Sequence, residues 1–314
     1  MSAQSEGARD GVDDVYEGGE GQLFLIGGHH DVRELFTGDR TPTMASISAF
    51  RENAAGRMVF CHRAGLRYAS IVFPEKLAAL RALVPFPVRS LVRDVYLPGS
   101  GADAHAWPLY PLDRLRKPRF WLRTDTHLSQ AGALQVLESL LADSAGEAWT
   151  AFRQHVQENL HTDTFTGDLG RKLTPPAREK LKSYTSPETL QIESNGTNGA
   201  NDGVMFIAVN EASTFNRRLL IFGDSFFRLI LPELSYFFRE IVLCRSRFFH
   251  YELVDAVQPD TVYFGCAERY LSDCVPDADR PHFFTIPFVK GKASRPTAGF
   301  AGAFSRVFRR EALL

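Results

Sequence analysis

The sequence predicts an α/β fold, three layers deep, with a mostly parallel central sheet between helices. Three observations carry that prediction. Residues 218–222 (RLLIF), 241–244 and 261–264 (TVYF) are short apolar runs separated by helical stretches, and tight strand–helix–strand links make neighbouring strands parallel. A fourth run, 68–73 (YASIVF), follows a helical pattern and is stopped by Pro74. These runs are apolar throughout rather than alternating, as strands covered on both faces must be.

The elements follow in order. Residues 1–19, Gly-rich and acidic, read as a flexible lead in which order begins near Tyr16, and the apolar run at 22–26, closed by Gly27 and Gly28, predicts a strand ending in a turn. Apolar spacing over 43–65 predicts a helix ahead of the strand at 68–73; residues 76–83 restart a helix, 90–97 read as another strand, and 98–108 as a surface loop. At 119–143 an apolar FWL segment meets the polar stop TDTH, after which Ser129 caps a helix over 130–141. The region 145–203, with GDLG at 167–170, Pro175 and Pro176, reads as an irregular insertion, its Gly/Asn stretch at 195–203 a loop between strands. GDSF turns the chain after 218–222; helices over 227–238 and 249–257 then alternate with the last two strands. Residues 286–314 read as a basic, loosely structured tail with one short helix, which leaves 20–285 as the main domain.

Composition narrows the function. A 314-residue chain buries a substantial core, and 25 phenylalanines make that core aromatic. With 36 basic against 37 acidic residues, no global field draws the chain to nucleic acid or an anionic membrane. No segment reads as an export signal or a membrane span, so the expected compartment of the sequence as written is the cytoplasm. The four cysteines follow neither CxxC nor a dense disulfide spacing and read as free thiols. Gly18-Gly19 and Gly27-Gly28 lack the strand–turn–helix spacing of a dinucleotide site, so no cofactor is expected; no metal is expected either, since His and Asp clusters at ligand spacing are missing.

Two junctions carry chemistry. Ser225, in Gly223-Asp224-Ser225-Phe226, directly follows an apolar strand and precedes a helix, where free backbone N–H groups can hold a developing oxyanion. The same position also suits an ordinary helix N-cap. A serine hydroxyl needs a base to become a nucleophile, and His127, in Thr124-Asp125-Thr126-His127, sits at a second strand-to-helix junction. Asp125 is two residues earlier, so in an extended segment its carboxylate points the same way as the imidazole and can orient it. A metal-ligand pair or a surface turn are the competing readings of this DxH.

The ordered set DTHLSQAGA, LLIFGDSFF, YEGGEGQLFLIGG, IVFPEKLAAL, LYPLDRLR, GDLGRKL and the closing Pro259-Asp260 to Glu268-Arg269 segment resembles the SGNH-hydrolase-like domain of the alginate O-acetylation proteins. It covers roughly 16–272. The resemblance implies an SGNH-hydrolase-like fold with permuted motif order, Ser225 as nucleophile, His127 as base and Asp125 as its orienting partner. It further implies an acetyl donor, a polysaccharide or glycan acceptor, polysaccharide-assembly proteins as partners, and a periplasmic setting. Leu128 stands where the family has Trp, and the family's signal sequence is missing. A glycan acetyl esterase with water as acceptor, and a catalytically silent glycan-binding assembly protein, are the alternatives to O-acetyl transfer. Lys76, Arg245, Glu268 and Arg269, each near a strand end, are candidate substrate contacts; a solvated lysine, a solvated arginine face and a structural salt bridge are their ordinary readings.

Overall fold

A computed structural model of the protein describes residues 14–98, 107–198 and 202–308. Residues 1–13 of the lead expected over 1–19, the centre of the loop expected over 98–108, residues 199–201 and the end of the tail lie outside them.

Among the described residues there are ten strands: β1 (Val15–Glu17), β2 (Leu23–Leu25), β3 (Arg67–Phe73), β4 (Leu160–Phe165), β5 (Glu179–Tyr184), β6 (Leu190–Ser194), β7 (Met205–Asn210), β8 (Phe215–Gly223), β9 (Phe238–Arg245) and β10 (Thr261–Ala267). Six form the central sheet in the order β3-β10-β8-β9-β7-β6, and β1-β2 and β4-β5 are separate two-stranded ribbons. Within the central sheet β3, β10, β8 and β9 run parallel, while β7 and β6 extend the edge in antiparallel fashion. The register sets Gly223 of β8 beside Gly265 of β10 and Arg245 of β9, so the carboxyl ends of the parallel strands share one edge.

Side chains alternate between the two faces, and each face has its own core. Ile71, Phe73, Leu219, Ile221 and Tyr263 pack with Val136, Phe226, Phe227 and Leu234 on one side. Leu220, Phe222, Val242, Val262 and Phe264 pack with Cys61, Phe249, Leu253 and Val307 on the other. The result is the three-layer, mostly parallel α/β architecture that the apolar runs predict.

Five local expectations are corrected. Residues 90–97 are helical, with the wound turn Val92–Tyr96, because Asp94 Oδ2 accepts the Ser90 N–H at 2.8 Å while Ser90 Oγ accepts the Arg93 N–H at 3.1 Å. That reciprocal capping fixes the turn before β pairing competes. The region 145–203 is regular: the helix Glu147–Glu158 buries Trp149, Phe152 and Val156, β4 and β5 pair, and β6 joins the central sheet. The described end of the tail is packed through its one longer helix, since Val307 and Phe308 are buried and Arg306 pairs with Glu240, while residues 288–299 are exposed. Within the expected lead, β1 pairs with β2. The helix expected over 227–238 is two, Ser225–Leu229 and Leu231–Phe237, with Pro232 opening the second as proline favours.

Candidate active site

Ser225 is the first residue of its helix, immediately beyond the carboxyl end of β8. In parallel sheets this edge is where ligand-binding groups gather. The helix cap is Asp224 rather than Ser225: Asp224 Oδ1 accepts the Phe226 N–H at 2.9 Å and Oδ2 accepts the Ala267 N–H at 2.7 Å. Asp224 thus ties the Ser225 turn to the end of β10 and leaves the Ser225 hydroxyl uncommitted to capping. Phe226 stacks on Phe73 at 4.7 Å, which fixes the same turn against β3.

Asp125 and His127 reach the site differently from the sequence expectation. Residues 122–127 form a tight turn, not a sheet strand: Leu122 N–H donates to His127 O at 3.1 Å, and Trp121 and Leu128 form an isolated antiparallel bridge. Within this turn the Asp125 carboxylate folds onto its own neighbour, with Oδ1 accepting the His127 N–H at 3.0 Å and lying 2.6 Å from Nδ1. A carboxylate can only accept, so Nδ1 carries the proton and Nε2 is left as an acceptor. That nitrogen is 2.8 Å from Ser225 Oγ. Hydroxyl, imidazole and carboxylate, 98 and 2 residues apart, therefore form one hydrogen-bonded line.

The GDLG loop supports this turn. Asp168 donates its N–H to Asp125 Oδ2 at 2.8 Å, while its carboxylate accepts from Thr126 N–H at 2.9 Å and Thr126 Oγ1 at 2.6 Å. Gly167 lies so close to Thr124 and Asp125 that any Cβ there would overlap the Thr124 carbonyl. Burial would raise the Asp125 carboxyl, but the His127 imidazole and the backbone N–H groups of Asp168 and His127 hold it down to about 2. Asp168 is a supporting residue that sequence reasoning missed; its motif was visible, its contact was not.

Asp125, His127 and Asp168 also offer ligand atoms within 4.8 Å of one another, the geometry of a small metal site. Every oxygen of both carboxylates already accepts an N–H or O–H, and His127 Nδ1 faces Asp125. The donor set is thus one of a hydrogen-bonded relay rather than of an open ligand cluster.

The other four candidates serve different ends. Lys76 is buried, and its ammonium donates to the carbonyls of Leu122 at 2.6 Å, Asp125 at 3.0 Å and Arg123 at 3.2 Å. Three acceptors use all three ammonium donors. Burial pushes its pKa down to about 7 against the pull of Glu179, Asp125 and Asp168. Glu268 is fully buried and accepts from Glu75 N–H, Ser90 Oγ and Val92 N–H, which joins the end of β10 to two helical turns. Arg269 pairs with Glu75 at 2.6 Å, both side chains almost fully buried, although it also borders the cleft. Arg245 ends β9 beside Gly223, its backbone bonded to Val204 and Gly203 and its charge acting on Tyr270. Lys76 and Glu268 are corrected from substrate contacts to scaffold: their charged atoms have protein partners.

No protein-family model matches the sequence, and no curated protein is significantly similar to it. Solved structures do resemble the fold. Bacillus cereus PatB1 aligns over 74% of this chain and 92% of its own, with 14% identity and a TM-score of 0.56. The O-acetyltransferase domain of Pseudomonas putida AlgJ aligns over 88% of this chain and 99% of its own, with 16% identity and a TM-score of 0.52. At such identities the likeness is one of fold alone: a central, mostly parallel sheet flanked by helices.

Proposed function

We propose that the protein is a serine-dependent O-acyltransferase that moves an acetyl group to glycan hydroxyls through an acyl-serine intermediate. The observation that carries this reading is the relay in which Ser225 Oγ lies 2.8 Å from His127 Nε2 and Asp125 Oδ1 lies 2.6 Å from Nδ1. Ser225 Oγ attacks the donor carbonyl carbon while its proton passes to Nε2. The bond from that carbon to the leaving group breaks, and the leaving group takes the proton from His127. In the second half an acceptor hydroxyl gives its proton to Nε2 and attacks the acyl carbon, and the Ser225 ester bond breaks as Oγ recovers the proton. Asp125 stabilises the imidazolium formed in each half without itself accepting a proton. Phe226 N–H is held by Asp224, so this reading assigns the oxyanion to the remaining N–H groups of the helix start, that of Ser225 first among them.

The AlgJ domain is an O-acetyltransferase by its description, and PatB1 has also been solved with a sulfonyl adduct. Both lend support at the level of fold. In the direct test, ester turnover and labelling by a sulfonyl fluoride are measured for wild type and Ser225→Ala. The expected result is loss of labelling and a fall in turnover of at least about a thousandfold in the variant. Equal turnover in both proteins would sink the reading. Supplying an oligosaccharide and weighing the products by mass spectrometry separates transfer from hydrolysis: acetylated sugar is expected, and free acetate alone would assign the esterase chemistry instead.

A further inference from the structure

We infer that the same serine takes acyl groups longer than acetyl, with the chain lying between the helix Met44–Arg63 and the sheet; this rests on the acyl-transfer reading above. A cavity of about 580 Å³ is lined in part by Thr126, Asp168 and Asp224, neighbours of the relay residues, although Ser225, His127 and Asp125 do not themselves line it. Two of these contact the relay directly or through Asp125, and Asp224 precedes the nucleophile. Cavities of this volume bury ligands of drug size, far beyond the two carbons of an acetyl group.

The inner part of the cavity has apolar walls of a definite origin. Phe50 and Ala54 come from the helix, Val72 from β3, Phe264 from β10, and Leu271 from the turn after β10. From the site inward β3 contributes Val72, Ser70 and Tyr68, a run of about 13 Å along the strand at ~3.3 Å per residue. A second observation places the gap. On this sheet face Val262 and Phe222 are fully buried, while Tyr68 and Ser70 of β3, level with them in register, and Cys266 of β10 remain partly exposed. Partial exposure at Tyr68, Ser70 and Cys266 thus places the gap over β3 and the end of β10. Arg57, which also lines the cavity, is held by both Asp277 oxygens at 2.6 Å and lies 3.6 Å from the Phe264 ring centre. Its charge is neutralised, so the stretch of wall formed by Phe50, Ala54, Val72 and Phe264 suits a hydrocarbon chain, while Lys172, Arg247, Lys290 and Lys292 border the cavity elsewhere.

Each methylene buried from water is worth roughly fourfold in binding, so a chain seated here raises kcat/KM steeply over acetyl. The test compares acetyl and octanoyl esters of one leaving group in wild type and Ala54→Phe, with calorimetric binding of octanoate to Ser225→Ala and to Ala54→Phe. Expected are an octanoyl-to-acetyl ratio of at least about ten in wild type, its fall towards one in Ala54→Phe, and octanoate binding that Ala54→Phe weakens at least about tenfold. A wild-type ratio at or below one, with acetyl turned over, overturns the chain site and leaves the acyl-transfer reading standing. If no ester is turned over, that reading fails, and calorimetry alone decides the cavity: octanoate bound by Ser225→Ala upholds it, and no binding overturns it. Should Ala54→Phe fail to fold by circular dichroism, the wild-type ratio and the Ser225→Ala binding still decide between the two outcomes.

Discussion

Asp125 is a scaffold residue that, in the proposed mechanism, also orients the base. Its two oxygens accept three N–H groups, two of them backbone, so the carboxylate is fixed before it orients His127. Asn at this position must turn an amide N–H towards either His127 or the Asp168 N–H, and both faces are donors. Asp125→Asn is therefore expected to lower ester turnover by about 10³- to 10⁴-fold, as read from initial rates across pH. A stability effect accompanies it. The folded carboxyl, at about 2, lies below its ordinary value of 3.8, so its contribution is complete above pH 4 and is lost as pH falls towards 2. Relative to Asp125→Asn, wild type should lose about 2 kcal/mol across that window in urea titrations at stepped pH.

Two elements near the relay are held by buried polar groups whose removal has opposite consequences. The turn carrying Asp125 hangs on Lys76, whose ammonium satisfies the carbonyls of Leu122 and Asp125 and shares that of Arg123 with the Leu23 N–H. Lys76→Met preserves length but leaves the Leu122 and Asp125 acceptors bare in a buried site, at a cost of about 3 kcal/mol by chemical denaturation. Turnover should fall with it, because the turn positions His127. The helix Leu231–Phe237 presents Glu233, which is buried, takes one hydrogen bond from Gln130 at 2.7 Å and has a second oxygen with no hydrogen bond. Burial raises this carboxyl to about 7 from 4.5, so its penalty develops as pH rises through that interval. Glu233→Gln removes the penalty and is expected to be more stable than wild type by about 3 kcal/mol at pH 8, with little difference at pH 4.5. Melting curves at the two pH values check this.

Over the whole molecule, the last described helix closes the second face of the sheet. Phe300–Val307 places Val307 and Phe308 among Met205, Ile207 and Phe249, Phe304 stacks on Phe308 at 4.2 Å, and Arg306 reaches Glu240 at 2.6 Å. A chain ending at Pro296 uncovers that face. It should lose about 3 kcal/mol or more, at roughly 1.5–3 kcal/mol per large buried side chain. Ester turnover should persist wherever the shortened chain remains folded, because Ser225 lies at the carboxyl edge of the sheet and not on the face the helix covers. A shortened protein with an unchanged denaturation midpoint would show that the tail contributes nothing to the core.

How much of this was legible in the sequence depends on the range of the forces involved. The uniformly apolar runs at β3, β8, β9 and β10 announced a sheet buried on both faces, because a strand covered twice has no polar side to show. GDSF and DTH named the three relay residues, since their chemistry is written in residue type and local spacing. The polar ribbon β4–β5, by contrast, has no apolar alternation to betray it, and β6 is recognisable only through its partner β7. Ser90–Tyr96 read as a strand because its apolar residues fit either period, until Asp94 and Ser90 capped a turn. Residue type and local pattern thus determined the fold class and the candidate nucleophile, base and acid. Tertiary structure alone decided that Lys76 and Glu268 have their charged atoms on protein partners, that Asp168 braces Asp125, and that a cavity is lined by neighbours of the relay residues, because burial and hydrogen-bond partners depend on segments far apart in the chain.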